Sequence, residues 1–175
     1  HNPRQMAGAE VETLELLARQ VVEVLELQRR HTASEARLRA IIGTAVDAIL
    51  TIDESGLMEQ VNPAIEHIFG YHPSELLGRN VSMLMPSPDR EQHDGYLANY
   101  AATGARKVIG IGREVTGRRK DGTEFPAELA VSEMLVGARK MFTGIIRDIS
   151  LRKQAERELN QFRATLDRTN AAILI

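Results

Sequence analysis

Two short links, Arg119-Lys120-Asp121-Gly122-Thr123 and Val136-Gly137-Ala138-Arg139, each hold a glycine and join runs in which apolar residues alternate with polar ones. Parallel strands need a crossover of about a dozen residues, so links this short make the three runs they join antiparallel neighbours. The expected strands cover residues 108–118, 124–135 and 140–148. Residues 46–53 and 57–61 flank the turn cluster Glu54-Ser55-Gly56 and read as another hairpin. Only short helical signals lie between the two sets of strands. Asn62-Pro63 opens a helix with Ile65, Ile68 and Phe69 on one face and Gly70 behind it, and Pro73 opens a second that ends at Gly78. Ser87-Pro88-Asp89 offers a cap, a proline for the first turn and an acid for the dipole of a helix that stops near Gly104. Two strands, small helices and three strands make an α+β domain, a five-stranded antiparallel sheet with its helices on one face.

Longer helices flank this domain. Residues 9–42 contain neither Gly nor Pro, and Leu14, Leu17, Val21, Val24 and Leu25 recur at spacings of three and four. One or two amphipathic helices are expected, Thr32 with Glu35 forming a capping box where a second would begin. After Ser150 the apolar residues Leu151, Ala155, Leu159, Phe162 and Leu166 mark another narrow seam. Stripes of this kind pack on a sheet or on a partner helix, so a homodimer through the flanking helices is expected. Residues 38–50 align without gaps on residues 162–174, 124 positions later, with five identities. Each copy joins a helix end to an expected first strand, which suggests a tandem array. The resulting division is a linker helix over 1–35, a domain over 36–150, a coiled-coil helix over 151–169, and the truncated start of a second repeat over 170–175.

Composition removes several classes of function. A net charge of -2 with 26% charged residues provides no basic field for nucleic acid, and the absence of Trp weakens any base-stacking surface. No apolar run approaches the roughly 18 residues that span a bilayer, and no signal-peptide pattern opens the chain, so the segment is expected to be cytoplasmic and free of membrane. With no cysteine there are no disulfides, thiolate metal sites, thiol nucleophiles or flavin–cysteinyl adducts. Gly110 and Gly112 sit within an expected strand without a third glycine, which argues against a phosphate loop, and no HExxH, paired-carboxylate or Ser-His-Asp pattern appears. With no catalytic pattern in the sequence, the segment is not expected to be an enzyme.

Asn62-Pro63-Ala64 before Phe69-Gly70-Tyr71, then Ser74-Glu75-Leu76-Leu77-Gly78, the hairpin Arg119 to Pro126, and Arg147-Asp148-Ile149-Ser150 before Arg152-Lys153-Gln154 resemble the motifs of a PAS sensor domain, in the same order. The resemblance covers roughly residues 36–150. It implies a sheet and helical flank around a ligand cavity, with Asp148-Ile149-Ser150 passing a signal to a coiled-coil linker. Residues 80–86, Arg90, His93-Asp94-Gly95-Tyr96 and Ile109-Gly110-Ile111-Gly112-Arg113 are similar to the haem-binding PAS domains of FixL-type oxygen sensors. That likeness implies haem b with His93 as the proximal iron ligand and Arg113 as a distal residue that exchanges between a propionate and the bound gas. It also implies Tyr96, Lys107, Val108, Ile111, Leu129 and Val131 around the cofactor. Asn99 and Lys107 stand where such sensors often carry Arg and His beside the propionates; Lys107 keeps a positive charge and Asn99 does not.

The residues themselves leave two alternatives open at each point. Helical spacing places His93, Tyr96, Leu97 and Tyr100 on one inward face, where a neutral imidazole can ligate iron or simply be a packing residue. Arg113 lies between apolar neighbours on a strand and finds either an anionic or gaseous ligand, or solvent and a nearby acid. Val108 and Arg113 have opposite parity, so both reach one pocket only if a bulge forms near Gly110 or Gly112. Arg118-Arg119-Lys120 reads as a solvated hairpin tip. The expected function is a sensory input module, binding haem and a diatomic gas such as O2 and relaying to an output domain such as a histidine kinase or a cyclic-di-GMP enzyme. The alternative is a cofactor-free dimerisation and relay module. Residues 14–28 resemble the closing helix of a GAF domain, which would place another sensor domain upstream.

Overall fold

The computed structural model describes residues 3–103 and 112–173, with side chains over 12–103 and 112–165. Its elements in chain order are α1 (Pro3–Gly43), β1 (Ala48–Asp53), β2 (Met58–Val61), α2 (Ala64–Phe69), α3 (Pro73–Leu76), a 3-10 turn (Val81–Leu84), α4 (Asp89–Thr103), β3 (Arg113–Arg118), β4 (Glu124–Val136), β5 (Arg139–Asp148) and α5 (Ser150–Ile173). The strands form one antiparallel sheet in the order β2-β1-β5-β4-β3. Both glycine-bearing links are hairpins, as their length requires.

The residues from Gly43 onward form one compact unit and the helix before them another. Within the former, one face of the sheet carries the core. Leu50 and Ile52 of β1, Ala127 of β4, and Phe142 and Ile146 of β5 are buried beside Ile65, Phe69 and Leu76 from α2 and α3. Register explains the shared face: Leu50 lies across from Gly144, Ile52 from Phe142 and Leu129 from Ile146. Asn62, 2% exposed, is more than a helix signal. Its Oδ1 accepts the Ile49 N–H at 2.9 Å and its Nδ2 donates to the Asp47 carbonyl at 3.0 Å, clasping the two ends of the first hairpin. His72 caps α3 reciprocally with Glu75, its Nδ1 accepting the Ser74 N–H and its own backbone N–H donating to Glu75 Oε2.

Three expectations need correction. α1 is one continuous helix, so Thr32 opens no second one; its hydroxyl donates to the Gln28 carbonyl at 2.9 Å, the i−4 bond of a helix interior. α5 continues through Ile173, so residues 170–173 extend a helix where a new strand was expected. The hairpin tip is also engaged with the protein. Lys120 Nζ lies 2.6 Å from Glu75, and Arg119 pairs with Asp148 at 2.6 Å, donates to the Ile68 carbonyl and stacks 4.0 Å over Phe125. β3 begins at Arg113, so the part of the expected strand over 108–111, with its proposed bulge, lies outside the described residues. No helix among the described residues is long and apolar enough to cross a membrane.

Every described side chain of α1 is exposed, Leu14, Leu17, Val21 and Val24 included. On α5, Leu151, Leu159 and Phe162 are exposed as well. At its start α5 is fixed to the sheet by charge. Asp148 Oδ1 accepts the Ser150 N–H at 2.8 Å, Lys153 meets Glu114 of β3 at 2.6 Å, and Arg152 meets Glu114 at 3.3 Å and Glu128 at 3.7 Å.

Candidate functional site

A cavity of about 340 Å³ lies between the inner face of the sheet and α4, with the 3-10 turn at its side. Its floor is made by alternate residues of neighbouring strands: Leu50 and Ile52, Phe142, Gly144 and Ile146, Ala127, Leu129 and Val131, and Arg113, Val115 and Gly117. Gly144 sits at the middle of this floor, where an added Cβ would come 3.4 Å from Leu50 Cδ1, so glycine preserves the depth of the pocket. Gly117 allows the Phe125 ring to lie directly across β3; a Cβ there would meet that ring at 2.6 Å.

Five of the residues singled out from the sequence, His93, Tyr96, Arg113, Leu129 and Val131, line this single cavity. Arg113 and Leu129 are direct partners in the β3–β4 register and so project from the same face. The Arg113 side chain is exposed and makes no ion pair among the described residues. Lys107, Val108 and Ile111 lie outside the described residues.

His93 is the polar group that most needs explanation. Its side chain is 15% exposed, and its Nδ1 is buried with no hydrogen-bond partner among the described residues. Asp94 Oδ1 stands 3.9 Å away, near enough to attract an imidazolium but too far to accept a hydrogen bond. Burial pushes the His93 imidazole below its ordinary value, against the upward pull of Asp94 and Asp89. The ring is therefore neutral at pH 7 and keeps a lone pair. Asp94 itself is held by Asn80 Nδ2 at 3.0 Å, and Asn80 caps the 3-10 turn through the Ser82 N–H. These contacts set the near end of α4 against the turn.

The inward face of α4 is narrower than its spacing implied. His93, Leu97 and Tyr100 point inward, whereas Tyr96 is 45% exposed and its hydroxyl donates to Gln92 Oε1 at 2.7 Å. Tyr96 stands at the rim of the cavity, where a hydroxyl is cheaply solvated. Asp89 and Asn99 also reach the lining.

The PAS-fold family model matches residues 36–149. The chain belongs to the PAS family. Among curated proteins it is 42% identical over 132 residues to the sensor protein FixL of Bradyrhizobium diazoefficiens, a match over 75% of this chain and 26% of that protein. It is 29% identical over 134 residues to the cell-division control histidine kinase PdhS of Brucella anthropi, covering 77% of this chain and 12% of the relative. The chain thus spans about a quarter or less of the length of these two relatives. Among solved structures, the PAS domain of an HTR-like protein from Haloarcula marismortui superposes with a TM-score of 0.60 at 25% identity, covering 71% of this chain and 98% of that one.

The PAS cavity has chemistry suited to a flat, largely apolar cofactor with one metal. Aliphatic floor residues face a neutral imidazole whose Nδ1 has no hydrogen-bond partner among the described residues, and the guanidinium of Arg113 stands at the margin. No group of three or more His, Asp or Glu among the described residues could hold a bare metal ion. A single imidazole can act as one ligand of a metal whose remaining ligands come from a macrocycle.

One cluster escaped the sequence reading. Glu133 continues the inward row of β4 after Phe125, Ala127, Leu129 and Val131, and accepts a hydrogen bond from the Tyr100 hydroxyl. A charged residue interrupting an otherwise apolar alternation, between Val131 and Leu135, was the available signal.

Proposed function

We propose that this PAS domain is a sensory input module that binds haem b through His93, responds to O2 or another diatomic gas, and relays the change through α5 to an output domain in the same chain. The observation that carries the proposal is the neutral imidazole of His93, whose Nδ1 is buried without a hydrogen-bond partner among the described residues, over a cavity floored by Leu129 and Val131. The 42% identity to FixL supports it. Bound haem would supply an iron with one open position for a gas. His93 would hold the cofactor from α4, Leu129 and Val131 would exclude water from the gas side, and Arg113 would offer its guanidinium to a propionate or a polar gas. Lys107, Val108 and Ile111 belong to the same proposed lining.

Arg113 lies next to Glu114, which is bound to Lys153 and Arg152 of α5. A shift of β3 on ligand binding would thus reach the helix through charged side chains. Differential contacts in the two states are the thermodynamic requirement for any such relay. We further propose homodimerisation through the exposed stripes of α1 and α5, a cytoplasmic setting, and an output such as a histidine kinase. PdhS, a histidine kinase by name, supports the last point. Titration of ferric haem into the 175-residue chain tests the reading. A saturable Soret band that His93→Ala abolishes is expected, and wild-type protein that takes up no haem would overturn it.

A further inference from the structure

α4 has no buried residue, yet it carries His93 over the cavity. Its near end is held by Asn80 and Asp94. Two turns further along the same face, about 10 Å by helical rise, Tyr100 reaches across to the sheet. Its hydroxyl donates to Glu133 Oε2, its ring packs edge-on against Phe142 with centroids 5.6 Å apart, and Lys140 Nζ lies 5.6 Å above that ring. Lys140 also pairs with the other oxygen of Glu133 at 3.3 Å. Glu133 and Phe142 are register partners, so the three sheet residues form one rigid platform on adjacent strands. Charge-assisted hydrogen bonds to a partly desolvated carboxylate are among the stronger polar contacts available. They connect α4 to the sheet at the wall of the cavity that Tyr100 itself lines.

We infer that Tyr100, Glu133 and Lys140 form a latch that positions the helix of His93 over the sheet and sets how often the cavity opens. The inference rests on the proposed ligand role of His93 only for its consequence, the residence time of the ligand. Tyr100 and Glu133 are positioning residues that act through α4.

Hydrogen exchange on the haem-free chain tests the latch directly. Tyr100→Phe removes the hydroxyl but keeps the ring on Phe142, and Glu133→Ala removes the acceptor. Each is expected to speed exchange of the amides over residues 93–103 about tenfold, the factor that corresponds to ~1.4 kcal/mol, while amides of β1 and β5 keep their protection. The double variant is expected to exchange no faster than the quicker single one, because both changes break the same bond. Unchanged exchange in Tyr100→Phe, or additive effects in the double variant, would overturn the latch. In haem-loaded protein, transfer of haem to excess apomyoglobin should speed up by a similar factor, and an unchanged transfer rate would overturn the control of residence. A wild type that binds no haem defeats the haem reading and leaves the exchange result to decide the latch.

Discussion

α2 and α4 flank the same sheet and use their residues in opposite ways. Of the six residues of α2, four (Ala64, Ile65, Ile68 and Phe69) are buried, whereas none of the fifteen in α4 is. α2 is held by the hydrophobic effect, which is non-directional and strong for its length. α4 spans a hole and is held at its ends by directional polar contacts, Asn80 to Asp94 and Tyr100 to Glu133. Elements that must move to admit a ligand come from the low-stability end of a structure, and α4 has that character. The contrast teaches where fold and function separate in this domain: the short helix specifies the core, and the longer one covers the cavity.

The largest test of that contrast is Ile65→Ala, since Ile65 is fully buried. Loss of about 3 kcal/mol is expected from urea unfolding, the usual scale for emptying a core site. Leu97→Ala on the inward face of α4 should cost much less, about 1 kcal/mol, because the side chain is only partly buried beside the cavity. Equal losses at the two positions would remove the distinction between the helices.

A smaller effect is expected at the start of α5. Burial pulls the Asp148 carboxyl upward, but the hydrogen bonds from Ser150 and the Arg119 guanidinium outweigh it and hold the group below its ordinary value. A lowered carboxyl favours the folded state at neutral pH, and this contribution fades as pH falls below about 4 toward the folded value. Asp148→Asn should flatten that part of the acid-unfolding profile, by less than about 1 kcal/mol given its solvent screening. Melting temperatures between about pH 5 and pH 2.5 measure it. An unaltered profile would mean that Asp148 does not couple α5 to the sheet through its charge.

The sequence made the sheet legible because its turns are short and its apolar residues alternate. Leu129 and Val131 follow from parity alone, and Arg113 joins them through its register with Leu129. α4 was read less well. A helix that covers a cavity has no wide apolar stripe, so helical spacing put Tyr96 inward when its hydroxyl turns to Gln92 at the surface. Glu133 was missed since charge at the end of a strand usually means solvent, and its partner Tyr100 lies 33 residues away. The pairing of Arg119 with Asp148 escaped notice for the same reason, being set by tertiary register and not by local pattern. Thr32 misled in the opposite direction, because a capping-box spelling inside a long helix is satisfied equally by an i−4 bond.

The central claim is that His93 supplies the bond that holds a cofactor in the cavity. Chemical rescue of His93→Gly measures this most directly. The account predicts that this variant, separated from excess ferric haem by gel filtration, retains no haem alone and retains it when free imidazole occupies the space the side chain vacated. A variant that binds haem as wild type does without imidazole, or that elutes without haem at saturating imidazole while remaining folded, would contradict it.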